Sequence, residues 1–444
     1  MASSVLLSEP PPLTERRDRP RLRAVLLAST IGSVIEWYDF FIFATAMALV
    51  FKPLFFPNIS PTAGTLALLT TYAAGFVARP IGAVISGHLG DRIGRKAVLV
   101  ASLLVMGMST AAIGALPTYA QAGVLAPILL TTLRIVQGLA VGGEWGGAAL
   151  LSVEHAPAGR RGLLGGFVQL GTPAGMLLAT STYLATRALV GEQAFVDWAW
   201  RLPFLASLAL VALGLGVRLR VHDAEVFQTI KLRRHTARRP VIEVLRTQPR
   251  TVTLTIGLRL SQTALYYLLT TYSLVYLKSH FSGGGDIGLV AIMIASGVGL
   301  LSDPLWGYVS DRVGRRPPVL FGSALGVVAL VLFFVAADAG SEIGVVLAVV
   351  LGLAVVHDAM YSPHAAWFAE LFSTNVRYSG ASLGYQVGAA LGGGFAPLIA
   401  AALLIAGNGS PKLIVAYFAG LSILTFASAL LARETHQPDA AQPL

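Results

Sequence analysis

Apolar positions along this chain neither alternate with polar ones, as in a half-buried strand, nor recur as the single stripe of a surface helix. They fill long stretches bounded by short polar clusters. A bilayer core of about 30 Å takes roughly 20 apolar residues as a helix. Twelve stretches meet that length, at about 24–50, 64–87, 97–116, 122–153, 162–187, 201–220, 250–277, 286–309, 318–337, 343–371, 378–405 and 411–432. The short alternating segments of a transmembrane barrel are missing from the pattern. The expected fold is therefore all-α and integral to the membrane, with twelve transmembrane helices joined by short loops. The longest polar interruption divides six from six. The expected organisation is an N-terminal segment 1–23, a six-helix bundle 24–221, a linker 222–249, a second six-helix bundle 250–433 and a tail 434–444.

Composition agrees with lipid as the solvent. Of 444 residues, 55% are apolar and 12% charged, against about 45–50% and 25% in a soluble domain. That balance excludes a cytosolic enzyme, a disordered scaffold and a secreted disulfide domain. With no cysteine in the chain, disulfides, iron–sulfur clusters, thiolate zinc sites and cysteine nucleophiles are excluded too. The net charge of +10 is informative through its placement. Arginine and lysine crowd into the N-terminal segment, the linker 222–249 and alternate connections: Arg92, Arg95 and Lys96; Arg160 and Arg161; Arg312, Arg315 and Arg316; Arg377. The opposite connections hold only Lys52, Arg187, Arg201, Lys278 and Lys412. The positive-inside rule then puts both termini in the cytoplasm. The charge sets topology and draws anionic lipid; nucleic acid is not expected as a partner. The first stretch is long enough to span and lacks a small-residue cleavage site, so it is expected to be a retained helix rather than a signal peptide.

The two halves repeat each other. Gly87-His-Leu-Gly-Asp91-Arg92-Ile-Gly94-Arg95-Lys96 recurs as Gly307-Tyr-Val-Ser-Asp311-Arg312-Val-Gly314-Arg315-Arg316, each after the second span of its half. Glu154 precedes Arg161 at the spacing with which Glu370 precedes Arg377. Paired bundles with a site between them are a common transporter plan, and the repeat implies two six-helix bundles related by a pseudo-two-fold axis.

The repeated loop resembles the signature of the major facilitator superfamily, over essentially the whole chain from about residue 24 to 432. Further blocks resemble the metabolite:proton symporter family within it: Glu36-Trp37-Tyr38-Asp39-Phe40, Phe76-Val-Ala-Arg79-Pro80-Ile-Gly82, the run Arg134-Ile-Val-Gln137-Gly138 through Gly142-Gly143-Glu144-Trp145-Gly146-Gly147 to Glu154-His-Ala-Pro157, and Trp200-Arg201-x-Pro203-Phe204. His357-Asp358, Arg259-Leu, Arg377-Tyr-Ser-Gly and Gly384-Tyr385-Gln386-Val387 are similar to the shikimate-type branch of that family. The resemblance implies a proton-coupled symporter of a bacterial cytoplasmic (inner) membrane. It would import a small organic acid, shikimate-like or another carboxylate metabolite, by alternating access. The proton would be the coupling ion, with no further cofactor, and a single chain the working unit. A proton antiporter exporting a small metabolite and a non-transporting sensor on the same fold are the alternatives. The chain has no Gly-x-x-x-x-Gly-Lys-Ser/Thr loop for ATP. It also has no nucleophile–base set and no His-Glu-x-x-His motif, so neither an enzyme nor a metal site is expected.

Ionisable residues inside a bilayer are costly and mark function by default. Here they are Glu36, Asp39, Arg79, Arg134, Glu144, Arg259, Asp303, His357 and Asp358. Asp39, with Glu36 one turn before it, can carry the coupled proton or form a salt bridge to an arginine of the fourth span. Arg134, Gln137, Val141 and Glu144 form one stripe of that span, beside a ridge of Gly138, Gly142 and Gly146 that admits a close neighbour. Arg134 can grip a carboxylate or join a network within its bundle. Glu144 lies nearer the cytoplasmic end, where gating or packing suits it better. Arg79, before Pro80, can satisfy the carbonyl that the proline frees.

In the seventh span Arg259, Gln262, Tyr266 and Tyr267 share a face suited to a hydroxylated carboxylic acid; an inter-helix ion pair is the alternative for Arg259. In the tenth, His357, Tyr361 and His364 share a face. A His357–Asp358 proton relay and a direct hydrogen bond from His357 to substrate are both open. Tyr385 and Gln386 are polar candidates in the eleventh, and Tyr38 is an aromatic that can stack on a ring. In the cytoplasmic loops Asp91 can meet the positive N-terminus of a helix from the other bundle, Arg95 can pair with Glu154 and Arg315 with Glu370. With Arg92, Arg161, Asp311 and Arg377, these links would close the cytoplasmic side, as the resemblance implies.

Overall fold

The computed structural model describes residues 15–93, 95–142, 145, 150, 152–153, 156–157, 159–220, 240–281, 284–373 and 376–436, and every regular element among them is helical. The N-terminal half holds α1 (Glu15–Leu49), α2 (Pro61–Ile93), α3 (Arg95–Ala115), α4 (Leu125–Val141), α5 (Arg161–Val190) and α6 (Arg201–Arg220). The C-terminal half opens with α7, made of Pro249–Tyr267, Leu268–Tyr272 and Ser273–His280. It continues with α8 (Gly284–Val313), α9 (Arg316–Asp338), α10 (Glu342–Leu371), α11 (Arg377–Ala406) and α12 (Lys412–Leu431).

Among the described residues, nine helices are individually long and apolar enough to cross a bilayer. A tenth span joins Glu192–Ala199 to α6 through a 61° bend. Of the remaining two, α4 is short and α7 is polar. The polarity of α7 is turned inward: Arg259, Ser261, Gln262 and Thr263 are all buried. The outward faces are the reverse, with Leu301 of α8, Ile343 of α10 and Ile423 of α12 exposed at 77%, 75% and 68%. Exposed leucine and isoleucine on every side, with the polar groups inside, is the arrangement a lipid solvent selects.

Two helical stretches fall in segments expected between or before the spans. Among the described residues α1 is helical from Glu15, so 15–23 is continuous with the first helix. Within the expected linker, Pro240–Thr247 is a helix, anchored by buried Val244 and by a 2.5 Å bond from Gln248 Nε2 to Ser373 Oγ. Hydropathy marks where lipid begins, whereas a helix ends where its backbone bonding is interrupted. Residues 221–239 and 437–444 lie outside the described residues.

Each half uses the same pairings: α1 on α5, α2 on α4 and α3 on α6 in the first; α7 on α11, α8 on α10 and α9 on α12 in the second. The halves meet along two seams, α5 with α8 and α10, and α2 with α11. Close approach depends on glycine. A Cβ on Gly138 would lie 2.0 Å from the Gly75 carbonyl oxygen, and one on Gly142 2.1 Å from that of Arg79, so the predicted ridge of α4 packs backbone to backbone on α2. π-helical turns interrupt α7 (Leu268–Tyr272), α10 (Leu351–His357) and α11 (Ala390–Gly394). Such turns re-aim the side chains that follow them and are frequent at functional sites. The one in α10 delivers His357 to the interior.

Candidate functional site

In the N-terminal half the polar centre is built by α1, α2, α3 and α4. Asp39 is 1% exposed, and neither carboxylate oxygen has a hydrogen-bond partner among the described residues. The salt bridge to α4 that the sequence left open does not form. Arg134 instead donates to Gln137 Oε1 at 3.2 Å, and Gln137 Nε2 donates to Thr110 Oγ1 at 2.7 Å. The Arg134 guanidinium lies over Phe43 at 4.3 Å and Phe40 at 4.5 Å, while its Nε and one terminal nitrogen have no acceptor among the described residues. Arg79 lies 4.5 Å from both Phe40 and Phe76. A cavity of about 10 Å³ is bordered by Asp39, Arg79, Arg134 and Gln137, room for about one water. Glu36 is buried one turn before Asp39.

In the C-terminal half a continuous chain of bonds runs from α7 to α8. Arg259 donates to Gln262 Oε1 at 2.6 Å, Gln262 Nε2 meets His357 Nε2 at 2.5 Å, and His357 Nδ1 meets Asp358 Oδ1 at 2.8 Å. Ser302 then donates to Asp358 Oδ2. With Gln262 donating, His357 accepts at Nε2 and carries its proton on Nδ1, toward Asp358. Among the described residues Arg259 makes no inter-helix ion pair. It lies over Tyr385 at 3.6 Å and Tyr361 at 5.1 Å, with Nε open. The Tyr266 ring lies 4.6 Å from that of His357, tilted by 45°. A second cavity of about 10 Å³, bordered by Thr172, Tyr266, Ser296, His357 and Asp358, lies where α5 meets α7, α8 and α10.

Several contacts join the two centres. Tyr361 meets Thr172 Oγ1 at 2.8 Å through its hydroxyl, and its carbonyl accepts Gln169 Nε2 at 3.1 Å. Gln386 Nε2 donates to the Gly142 carbonyl at 3.1 Å. Trp145 stacks on Tyr385 at 3.5 Å and donates to Gln169. Phe40 and Phe76 close on Tyr267 at 5.7 and 5.1 Å. Two sequence candidates lie apart. Tyr38 donates to the Pro203 carbonyl at 2.7 Å, inside its own half. His364 packs 4.9 Å from Phe368, with neither ring nitrogen bonded among the described residues. Thr172 and Ser302 were not anticipated, because hydroxyls are too common in apolar spans to stand out.

At the end carrying the repeated loops, Asp311 Oδ1 accepts the Gly162 N–H at 2.7 Å and Oδ2 accepts that of Leu163 at 2.8 Å. These are orphan donors of the first turn of α5, where the helix dipole favours a carboxylate. The expectation for Asp91, that it meets a helix N-terminus of the other bundle, is thus seen for its repeat partner. Glycine makes room: a Cβ on Gly162 would fall 2.4 Å from the Gly307 carbonyl oxygen, and one on Gly307 2.4 Å from that of Gly162. Arg315 bonds Asp311 at 2.7 Å and, as expected, Glu370 at 3.1 Å. Arg161 is exposed, and Arg377 Nε donates to the Phe372 carbonyl at 3.4 Å. The side chains of Asp91, Arg92 and Arg95, and residues Glu144 and Glu154, lie outside the described residues. At the opposite end Arg187 bonds Glu192 in its own half and Asp286 across the seam, and Lys278 Nζ donates to the Leu49 carbonyl at 2.7 Å. Links between the halves therefore stand at both ends of the molecule, with the two small cavities lying between them.

Comparison with known proteins places this architecture. The family model for sugar (and other) transporters matches residues 25–252, and that for the major facilitator superfamily matches 254–444. The chain is 38% identical to the shikimate transporter of Escherichia coli (strain K12), over 94% of this chain and 96% of that one. It is 42% identical to the inner membrane metabolite transport protein YhjE of the same organism, over 93% and 94%. The solved structure of the proton:xylose symporter XylE superimposes with a TM-score of 0.70 at 17% identity, over 93% of this chain and 95% of that one. The chain belongs to the major facilitator superfamily. It is an integral membrane transporter of the metabolite type and not an enzyme.

Proposed function

We propose that the protein is a proton-coupled symporter that imports a small organic acid across a bacterial inner membrane. The observation that carries the reading is the imbalance at the centre. Arg79, Arg134 and Arg259 are buried and none forms an ion pair with a carboxylate among the described residues, while Arg134 and Arg259 keep N–H groups without acceptors. A planar guanidinium fork with open donors, walled by aromatic rings, suits a carboxylate on a small, partly apolar body. Buried guanidinium without a counter-ion is costly, so a bound anion would supply the charge that the described residues do not bring to these groups. Asp39, buried and without a donor, is the complementary group, stable in that setting once it holds a proton.

The working sequence follows from these parts. The centre accepts a proton at Asp39 and an organic anion at Arg134 and Arg259, the links at one end part while those at the other hold, and both ligands leave together. The end bearing the Asp311 link is taken as cytoplasmic, by the distribution of arginine and lysine. One chain is the working unit, and the proton the only coupling ion. A shikimate-like acid leads as substrate because Arg259, Gln262, Tyr361 and Tyr385 gather a guanidinium, an amide and phenols around one position, and because a relative of that name shares over a third of the sequence.

The test is uptake of labelled shikimate into proteoliposomes under an inward proton gradient. Uptake that an uncoupler abolishes is expected. Uptake indifferent to the uncoupler removes the coupling claim, and binding without flux leaves a sensor.

A further inference from the structure

The sequence of steps above gives no task to the buried carboxylate of Asp303. Asp303, in α8 immediately before Pro304, is 0% exposed, and neither of its carboxylate oxygens has a hydrogen-bond partner among the described residues. Among the described residues no cation is bonded to it. From α10, Asp358 faces the same stretch of α8: its Oδ2 accepts from Ser302 and would lie 3.7 Å from a Cβ on Gly299. One turn further along α10, Ser362 donates to the Asp303 carbonyl at 2.5 Å. His357 is already bonded to Asp358, and from α7 Tyr266 borders the same small cavity as His357 and Asp358. From α5, Gly166 packs on the backbone here: a Cβ on it would fall 2.9 Å from the Asp303 carbonyl oxygen and 3.2 Å from Pro304 Cα. Arg259 reaches this group only through Gln262 and His357. Two carboxylates facing one stretch of α8 in an apolar interior, with His357 the one histidine bonded to either of them among the described residues, do not both stay ionised.

We propose that Asp303 is a second proton-binding site, in the C-terminal half, held as the neutral acid while α5 covers it. The covering is tied to the link described above, since Asp311, two turns further along α8, is the residue that holds the first turn of α5. When that end opens, the Asp311 carboxylate releases the Gly162 and Leu163 amides and the glycine face of α5 moves off Pro304. Water then reaches Asp303, which gives it a proton and is left as the carboxylate, with Asp358 and His357 free to redistribute theirs. The site thus reports the state of the link, and its proton leaves on the same side as the cargo. This deepens the proton-coupled reading and rests on it for its role in transport.

The test needs neither substrate nor flux, so it stands apart from whether the chain carries an organic acid. Infrared difference spectra of the full-length protein in lipid nanodiscs are taken between acid and neutral pH. The wild type is expected to show a carbonyl band of a buried protonated carboxyl that D303N lacks and D303E moves. A D303N spectrum that keeps every carboxyl band of the wild type overturns the proposal. Should D303N fail to fold, judged by circular dichroism, D303E alone decides, and bands unmoved from the wild type overturn it equally.

Discussion

Asp311 and Gly162 belong to opposite halves of the chain, and the carboxylate of one accepts the backbone N–H of the other at 2.7 Å. The bond is charge-assisted and lies over an α5 N-terminus, where the partial positive charge of the helix reinforces it. D311N is therefore expected to keep the fold but favour the state open at that end. Spin-label distances across the α5–α8 seam, in a chain that has no native cysteine to remove, are expected to lengthen. An unchanged distance distribution would show that the bond holds nothing closed.

Arg259 is expected to resist conservative replacement. Lysine keeps the charge but loses the fork that bonds Gln262 and the flat face that lies on Tyr385. A hydrogen bond to a charged group contributes about 1.5–3 kcal/mol, which is roughly a 10- to 100-fold change in affinity. R259K should weaken shikimate binding by about that factor, read by calorimetry, with thermal stability close to the wild type.

Asp39→Asn separates coupling from movement. The amide cannot take up and release a proton, so uptake driven by a pH gradient should be lost. Exchange of labelled for unlabelled substrate across the liposome membrane should survive. Retained gradient-driven accumulation would move the coupled proton to another residue.

Gly138→Ala tests the packing of α4 on α2. The new methyl would fall 2.0 Å from the Gly75 carbonyl oxygen, against backbone that cannot rotate away. Overpacking costs about 1–3 kcal/mol or more, so a lower melting temperature and reduced yield in detergent are expected. Gly297→Ala, where a Cβ meets nothing within 4 Å, is the silent control.

Glu434 supplies a pH prediction outside the membrane. Burial works to raise its pKa, but the backbone N–H groups of His436, Arg316, Arg315 and Thr435 outweigh that and hold it below the usual 4.5. A group with a depressed folded pKa adds stability above its unfolded pKa and loses it as the pH falls through the folded value. The connection between α8 and α9 should therefore loosen on acidification below about pH 4.5, seen as faster amide exchange at Arg315 and Arg316. E434Q should make that exchange faster at neutral pH and flatten its pH dependence.

How much of this was legible in the sequence varied with the kind of signal. The spans were legible because lipid imposes a length and a composition, and the repeat was legible because Asp311, Arg315 and Glu370 are set in a fixed pattern of glycine and charge. Arg259 with Gln262, and Arg134 with Gln137, were legible as pairs because helical periodicity alone brings them together. Their partners were not. That Gln262 meets His357 depends on the π turn in α10, which no residue pattern announces. Tyr38 looked like a site residue because an aromatic inside a span can stack on a ring, yet it faces α6, with its hydroxyl on the Pro203 carbonyl. Asp303 was visible as a charge in an apolar span, but its isolation became apparent only once α5, α7 and α10 were packed around it.

The pairing of α5 with α8 has a further consequence. These two helices run in opposite directions and are fastened at both tips, by Asp311 on the α5 amides at one end and by Arg187 and Asp286 at the other. An open passage through the membrane would require both fastenings to fail at the same moment. If each fails independently, the frequency of that event is the product of two small fractions rather than either one alone. Leakage is thus suppressed by multiplication, and the tightness of the barrier does not require either clasp to be strong by itself.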